Sequence, residues 1–333
     1  MSFKRIVVSF FLLLSFFSSI ALAGGAKHTQ PTQSHITAPS PWFTGPLLAG
    51  SGATIPKGHT NYEPYLFYTD SFGYFNNTGN KVTSLDSHTL SPTMIISHGL
   101  SRSVDVQASI PFDSNSRGGE SDSHFGDIGL VLGYQLMRQH PGSLKPDARV
   151  FIEQSFPTGE YENLNPMKNG TDSTGAGAYQ TTVGVNFQRL WHVSQDHFLR
   201  GRLTFGFNLP TTVHVTGFNS YGGAASTDGE VRVGNGFSTD LSFEYTLTQH
   251  WVPAIDFLYT HHKRSTFNGN VGVTASGLPA TIALAQTNEF SIAPAIEYNF
   301  TSKFGIIVGG WFAFAGQNSS DFDAAVFALN YYD

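Results

Sequence analysis

The sequence contains no cysteine, and only 13% of its 333 residues are charged. The absence of cysteine excludes disulfide scaffolds, Cys-based zinc sites, iron–sulfur clusters and cysteine nucleophiles. The charged share is about half of the roughly 25% found in soluble domains, which argues against an ordinary soluble enzyme. No uninterrupted apolar run reaches the ~20 residues of a transmembrane helix. Aromatic residues, by contrast, make up 14% of the chain, and a chain so rich in them is not disordered.

The N-terminus has the pattern of a secretory signal peptide. Lys4 and Arg5 precede the apolar run 6–17, and a small-residue cleavage site ends at Ala23. We therefore predict that residues 1–23 are removed on export. Losing these two positive charges changes the formal net charge from −6 to −8, which argues against nucleic acid as a partner.

Residues 24–60 are rich in Pro, Ser, Thr, Gly and His and show no periodicity. Their larger apolar side chains are Trp42, Phe43, Leu47, Leu48 and Ile55. The sequence allows this segment to plug the lumen of a barrel or to hang in the periplasm, and it does not decide between them. Residues 61–333 are predicted to form one domain.

From Tyr62 onward, apolar and polar residues alternate. In 103–112, Val104, Val106 and Ile110 fall on one side and Asp105 and Gln107 on the other. A period of two indicates a strand with one apolar and one polar face. Similar alternation occurs in other segments, and no window shows a helical period. The mature chain is predicted to be all-β.

Twelve strands are predicted. They cover residues 62–69, 89–97, 103–112, 125–136, 148–157, 178–189, 197–209, 230–247, 251–261, 288–299, 303–315 and 322–332. Long connections alternate with short ones, which with an even strand number is typical of outer-membrane barrels. A sheet in lipid must also close on itself, because an open edge would leave unpaired N–H and C=O groups. We predict a transmembrane, antiparallel, up-and-down barrel with both termini on the short-turn, periplasmic side.

The polar faces of these strands predict which side chains line the lumen. The candidates are Asp105, Gln107, Asp127, Arg149, Glu153, Arg200, Arg202, Arg232, Asp240, Glu244, Asp256, Glu289 and Glu297. Arg200 and Arg202 are expected to face acids such as Glu244 or Asp240 across the lumen. Such a pair either forms a constriction that selects solutes by charge or forms ion pairs that fill and stiffen a narrow barrel.

Other readings of the sequence remain open. A secreted soluble β-sandwich would also bury one face of each strand. A barrel hydrolase acting on lipid or peptide would need a Ser–His or Asp–His group, for which His124 with Ser121 or Ser123, and Asp256 with His261, are candidates by composition alone. A surface-interaction barrel would act through the long connections 158–177, 210–229 and 262–287.

No metal or cofactor site is predicted, although the chain contains 13 His. His261 and His262 are adjacent and would point to opposite faces of a strand. His28, His35 and His59 could meet around a metal only if the N-terminal segment folded into the lumen. Nucleotide-binding and zinc-protease motifs are absent from the sequence.

Four segments resemble a known family. They are 125–134 (FGDIGLVLGY), 156–159 (FPTG), the closing 327–332 (FALNYY) and 58–65 (GHTNYEPY). These segments resemble the outer-membrane beta-barrel transporter family named for the MetA pathway of phenol degradation. The resemblance implies passive uptake of small, hydrophobic or aromatic compounds and supplies no catalytic residues. It also implies the outer-membrane bilayer, the barrel-insertion machinery and a small-molecule solute as partners.

Overall fold

A computed structural model describes residues 40–194 and 196–333. The predicted signal peptide, residues 1–23, lies outside the described residues. Among those described, no helix is long and apolar enough to cross a membrane. A short 3-10 helix covers Pro166–Lys168.

The described part of the chain forms sixteen strands. They are β1 (Thr60–Phe75), β2 (Lys81–Gly99), β3 (Val104–Arg117), β4 (Glu120–Phe125), β5 (Ile128–Met137), β6 (Asp147–Phe156), β7 (Gln180–Ser194), β8 (His197–Pro210), β9 (Thr212–Thr216), β10 (Asp228–Arg232), β11 (Gly236–Tyr245), β12 (Trp251–His262), β13 (Thr266–Asn270), β14 (Thr287–Asn299), β15 (Phe304–Gln317) and β16 (Ser319–Tyr332).

Thirteen of these strands form one antiparallel sheet, which closes because β2 pairs with β3. β3 pairs with β4 through residues 112–117 and with β5 through residues 104–109. β4 and β5 are therefore one barrel strand, broken at Gly126 and Asp127. The result is a closed barrel of twelve strands, which confirms the predicted fold.

Alternation of side chains gives the barrel an apolar outside. On β12, Phe257 is 43% exposed whereas its neighbour Leu258 is 4% exposed. Exposed rings gather near both ends of the strands. At the end away from the termini, the ring centroids of Tyr259 and Phe290 lie 4.7 Å apart, and at the end near the termini those of Trp251 and Tyr298 also lie 4.7 Å apart. Aromatic girdles of this kind mark the two interfaces of a bilayer.

Two predicted long connections, 70–88 and 113–124, are wrong. β1 and β2 continue through the first and leave a turn at 76–80, and β3 and β4 continue through the second and leave a turn at 118–119. The three glycines in these turns, Gly79, Gly118 and Gly119, have positive φ. In 113–124 the alternation is lost because this hairpin end is polar on both faces. In β1 the apolar residues Phe72 and Phe75 continue to the turn, but the register shifts between Ser71 and Gly73. The backbone pairing persists in both hairpins.

The predicted strand 230–247 is divided in the structure. β10 pairs with β9 and β13 in a separate sheet of three strands, whereas β11 belongs to the barrel. Residues 233–235 separate the two strands. At Gly234 the chain passes so close to the next segment that an added Cβ would lie 1.9 Å from the Lys263 carbonyl oxygen. Alternation alone does not reveal that a strand changes sheet.

The barrel interior is apolar on one side, which the sequence analysis does not anticipate. Buried apolar side chains of β1, β2, β12 and β14–β16 form one cluster there. Tyr65 stacks on Phe67 at 5.5 Å, and Trp311 meets Phe322 edge to face at 5.1 Å. The inward face of β3–β8 and β11 is mostly polar. The lumen therefore has two chemically different halves.

The orientation of β12 can be tested with Phe257→Arg. Phe257 faces outward at mid-strand, so an arginine there should lower the free energy of unfolding by about 2–4 kcal/mol. Leu247→Arg is the matched control, because Leu247 is 51% exposed and lies in the turn at the interface, where the expected cost is about 0–1 kcal/mol. Reversible unfolding by denaturant in lipid vesicles gives both values. Equal costs at the two positions would contradict this orientation.

Candidate functional site: the barrel interior and its N-terminal plug

Residues 40–56 pass through the barrel interior. We call this segment the plug, and we call the side where β1 begins and β16 ends the periplasmic side, because the short turns lie there. The plug begins at the turn 246–250, where Gln249 Nε2 donates to the Ser40 carbonyl oxygen at 2.9 Å. It ends beside β2, where the Gly58 N–H donates to the Gly99 carbonyl oxygen at 2.8 Å. Both ends of the plug are thus on the periplasmic side.

A carboxylate on β12 holds the middle of the plug. The two oxygens of Asp256 accept the N–H groups of Leu47 and Ala49, each at 3.1 Å. The Asp256 side chain is fully buried. Because the plug has no strand or helix partners there, these carboxylate oxygens replace the acceptors that a sheet would provide.

Further inward side chains hold the plug at its two ends. Glu297 Oε2 accepts the Thr44 N–H at 2.5 Å. On the opposite wall, Gln135 Oε1 accepts the Thr54 N–H at 2.7 Å, and Asp105 Oδ2 accepts the Ile55 N–H at 3.0 Å. The plug is therefore bound to β14, β12, β5 and β3, all around the interior.

Arginines of the wall complete this network. Arg149 donates through Nε and a terminal nitrogen to Asp105 Oδ1, at 3.0 and 2.7 Å. Arg200 forms a two-pronged ion pair with Glu244, and the Arg202 Nε lies 3.4 Å from the same carboxylate. Glu244 and Arg200 are register partners on the neighbouring strands β11 and β8. The ion pairs therefore run along the wall and do not cross the lumen, contrary to the expectation from the sequence for Arg200.

Two of the arginines also touch the plug. Arg202 donates to the Ala49 carbonyl oxygen at 3.0 Å, and the Arg200 guanidinium lies 4.0 Å from the centroid of the Phe43 ring. The plug's own apolar residues Leu47 and Leu48 pack into the apolar half of the interior. One segment thus bonds to the polar half and packs on the apolar half.

The opposite, extracellular end is covered by a folded cap made of the connections 157–179, 211–235 and 263–286. β9, β10 and β13 form its sheet, and Val213, Val215 and Val231 belong to its buried core. Tyr221 donates its hydroxyl to the Ala176 carbonyl oxygen at 2.6 Å, and burial raises the pKa of this phenol. The cap has a core of its own and is not a set of loose loops.

Asp127 joins the cap to the barrel wall. Its two oxygens accept the N–H groups of Gly159 and Ala176, at 3.0 and 2.9 Å. A second tie lies further out, where Lys168 forms an ion pair with Asp122 of β4. The lysine lowers the pKa of the Asp122 carboxyl to about 2.

Most predicted lumen residues lie buried on the inner side of the wall. These are Asp105, Gln107, Asp127, Arg149, Glu153, Arg200, Arg202, Asp240, Glu244, Asp256 and Glu297. Glu289 is half-buried. For Arg232 the prediction is wrong, because the residue is exposed on β10 in the cap sheet. This error arose because 230–247 was predicted to be one strand. Eight of the eleven buried residues bind the plug, belong to its ion-pair network or tie the cap to the wall.

Asp240 and Glu153 differ from the other buried carboxylates. Neither oxygen of either side chain has a hydrogen-bond partner in the described structure. They face the interior from β11 and β6, which are separated in the closed sheet by β8 and β7. They are the acidic groups that the plug leaves available.

Sequence reasoning missed the neutral side chains that bind the plug. Gln135 donates to the Gly52 carbonyl oxygen at 2.8 Å, and Asn186 donates to that of Ser51 at 3.2 Å. Both share the inward phase of their strands, which the alternation could have shown. They were missed because only one uncharged residue was included among the candidates.

The structure does not assemble the hydrolase candidates. Asp256 is bound to the plug and points inward, whereas His261 has the opposite phase on β12 and contacts Asn288 Oδ1 at 2.8 Å. His124 Nε2 lies 3.2 Å from Asp122 Oδ1 in the exposed β4. No group of three or more metal-binding side chains occurs within 40–194 and 196–333.

Comparison with solved structures shows the same architecture. The COG4313 outer membrane channel from Pseudomonas putida F1 superposes with a TM-score of 0.65 at 14% identity, covering 85% of this chain and 98% of that one. The autotransporter β-domain of Brka from Bordetella gives 0.46 at 10% identity, covering 82% and 98%. A deletion mutant of the monoaromatic hydrocarbon channel TodX gives 0.40 at 11% identity, covering 84% and 91%. The first match shows the fold and agrees with the family resemblance in the sequence.

Comparisons of sequence add no relative. No family model matches the chain, and no curated protein matches it. The assignment of the fold therefore depends on the structure.

The hold of Asp256 on the plug can be tested with Asp256→Ala. The change leaves the buried N–H groups of Leu47 and Ala49 without acceptors, at roughly 1–3 kcal/mol for each group. Amide hydrogen exchange at these two residues should accelerate at least about tenfold. Asp240→Ala is the control, because Asp240 is equally buried but has no bond to the plug. Equal exchange in the two variants would contradict the assigned role.

Proposed function

We propose that this protein is an outer-membrane channel through which small solutes diffuse passively, and that the plug gates it. The observation that carries the proposal is the way the plug is held. Side chains of the wall accept hydrogen bonds from the plug backbone at points around the interior. The plug itself forms no strand of the barrel. Twelve strands leave a lumen between small barrels filled by side chains and the wide aqueous porins. In such a lumen, one extended segment is enough to control passage.

The position of its ends makes the plug suited to gating. Both ends lie on the periplasmic side, so the segment can leave the interior without being threaded through the barrel. A neutral hydrogen bond contributes only about 0.5–1.5 kcal/mol net, and one to a charged group about 1.5–3 kcal/mol. A ring of such bonds holds the closed state firmly. Opening is still reversible, because water replaces the lost hydrogen-bond partners of both the wall side chains and the plug backbone.

The chemical difference between the two halves of the interior supports the proposal that the solutes are small molecules with an apolar part. Once the plug is displaced, Tyr65, Phe67 and Phe322 would face the lumen on one side and Asp105, Arg149 and Arg202 on the other. A solute with an aromatic or aliphatic body could slide along the first side while its polar groups face the second. The COG4313 channel supports the channel assignment through its shared fold.

The location and partners follow from this proposal. The apolar outer belt requires a bilayer, and in Gram-negative cells barrels of this kind reside in the outer membrane. Export by the predicted signal peptide, cleavage after Ala23 and insertion by the barrel-assembly machinery belong to the same proposal. The solute of this proposal is a small molecule, and nucleic acid is not among the proposed partners.

Conductance in a planar bilayer tests the gate directly. A chain lacking residues 44–55 should give stable single-channel steps several times larger than the full-length chain, because the plug no longer occupies the periplasmic half of the lumen. Both proteins must first run faster on a gel unboiled than boiled, which shows that the barrel is folded. Identical conductance of the two folded proteins would contradict gating by the plug.

A reversible lock provides the matched experiment in the full-length chain. Thr44 Oγ1 lies 3.0 Å from Asn299 Oδ1, so the double variant Thr44→Cys/Asn299→Cys places the only two thiols of the chain near each other, and loss of free thiol on oxidation shows that the disulfide has formed. Oxidation should abolish opening events and reductant should restore them. The Thr44→Ser/Asn299→Ser variant should respond to neither treatment. Opening events that persist in the oxidised protein would show that solutes pass with the plug in place.

A further inference from the structure

A pocket lies between the cap and the extracellular rim of the barrel, far from the plug. Its floor is formed by the ends of β7, β8 and β12, with Gln180, Asn208 and His262, and its roof by cap residues including Tyr221 and Leu284. Gln180, Asn208 and His262 are each more than nine-tenths buried. The pocket therefore combines a polar floor inside the rim with a largely apolar roof.

Asn208 has an unused hydrogen-bonding group in this pocket. Its Nδ2 donates to Thr182 Oγ1 at 3.0 Å, which fixes the amide. Its Oδ1 is buried and has no partner. A buried acceptor without a donor costs free energy. This cost is removed when a ligand brings an O–H or N–H group.

The shape of the pocket depends on close backbone approach. A Cβ added at Gly236 would lie 2.3 Å from Cε1 of His262 and 3.4 Å from Cβ of Asn208. Glycine at 236 therefore leaves room for the His262 ring to turn toward the pocket, whereas the distance to Asn208 is an ordinary contact. The cavity measures about 30 Å³, which is room for roughly two water-sized groups. A ligand can therefore insert a hydroxyl with its adjoining carbon, while its body rests toward the mouth.

The charges around the pocket disfavour a cationic ligand. Lys263 is the basic residue in its lining, and none of the described residues that line it is acidic. Val233, Ala176 and Leu284 supply the apolar wall. A neutral molecule with one donor and an apolar body matches these surroundings, because it satisfies Asn208 without placing a positive charge beside Lys263.

We propose that this pocket is a binding site on the extracellular side for small neutral solutes that carry a hydroxyl or amide N–H on an apolar body. The pocket lies between the cap and the ends of β7, β8 and β12. The inference goes beyond the proposed function, because binding here requires neither an open plug nor conduction.

The test compares two probes of the same shape, benzyl alcohol and ethylbenzene, which differ in the donor. Binding to the folded full-length protein in detergent micelles is measured by saturation-transfer NMR, with empty micelles subtracted. Benzyl alcohol should bind about tenfold more tightly than ethylbenzene, because it gains one hydrogen bond to a buried acceptor. Asn208→Leu should remove this preference, because leucine keeps the volume and lacks the acceptor.

Two further variants separate the pocket from other sites. Ala285→Phe places a ring at the pocket lining and should abolish binding of both probes. Asn186→Leu changes another buried inward asparagine, on β7 at the plug, and should leave the preference intact. Equal binding of the probes to the wild-type protein, or a preference that survives Asn208→Leu, would overturn the inference. Conductance of the same preparations tests the proposed function separately, since either property can be lost while the other remains.

Discussion

Closure of the sheet between β2 and β3 is the constraint on which the rest of the structure depends. A strand edge in hydrocarbon would expose N–H and C=O groups with no water to bind them, so the sheet must pair around its full circumference. Closure divides every strand into a face toward lipid and a face toward the interior. The polar residues then have only the interior to occupy, and their charges must find partners there. The ion pair of Arg200 with Glu244 and that of Arg149 with Asp105 are consequences of this geometry.

The interior is wide enough that its side chains do not reach across it, and the plug and cap fill the space differently at the two ends. The cap is a folded unit with its own sheet and core, fastened to the wall by Asp127. The plug has neither sheet nor core of its own and depends on the wall for nearly every hydrogen bond. A self-sufficient cap can keep its shape when a solute passes beside it. The plug cannot keep its shape without its contacts to the wall, so movement is expected at the periplasmic end.

The sequence predicted the all-β class, the twelve barrel strands and the inward position of most charged residues, because alternation in a lipid-exposed strand is a strong physical signal. It failed where that signal is absent. The end of the β3–β4 hairpin is polar on both faces, so these strands were predicted too short. β1 was predicted too short because its alternation is interrupted by the register shift after Ser71. Arg232 was misplaced because a strand that leaves the barrel for the cap keeps the same alternation. The path of residues 40–56 could not be predicted at all, since it is set by contacts with residues up to 286 positions away, such as that of Asn330 with the Thr44 carbonyl oxygen.

The plug also changes what the charged interior means. Viewed from the sequence, acids and arginines in a barrel interior indicate either a filter that selects solutes by charge or ion pairs that stiffen the barrel. In the structure, Asp256, Asp105 and Glu297 are occupied by backbone N–H groups of the plug, because an irregular segment must obtain from side chains the acceptors that a strand obtains from its neighbour. These carboxylates thus form part of the surface to which the plug binds. Under the proposed gating, their charge becomes available to a solute only when the plug leaves, so opening the lumen would also create its acidic lining.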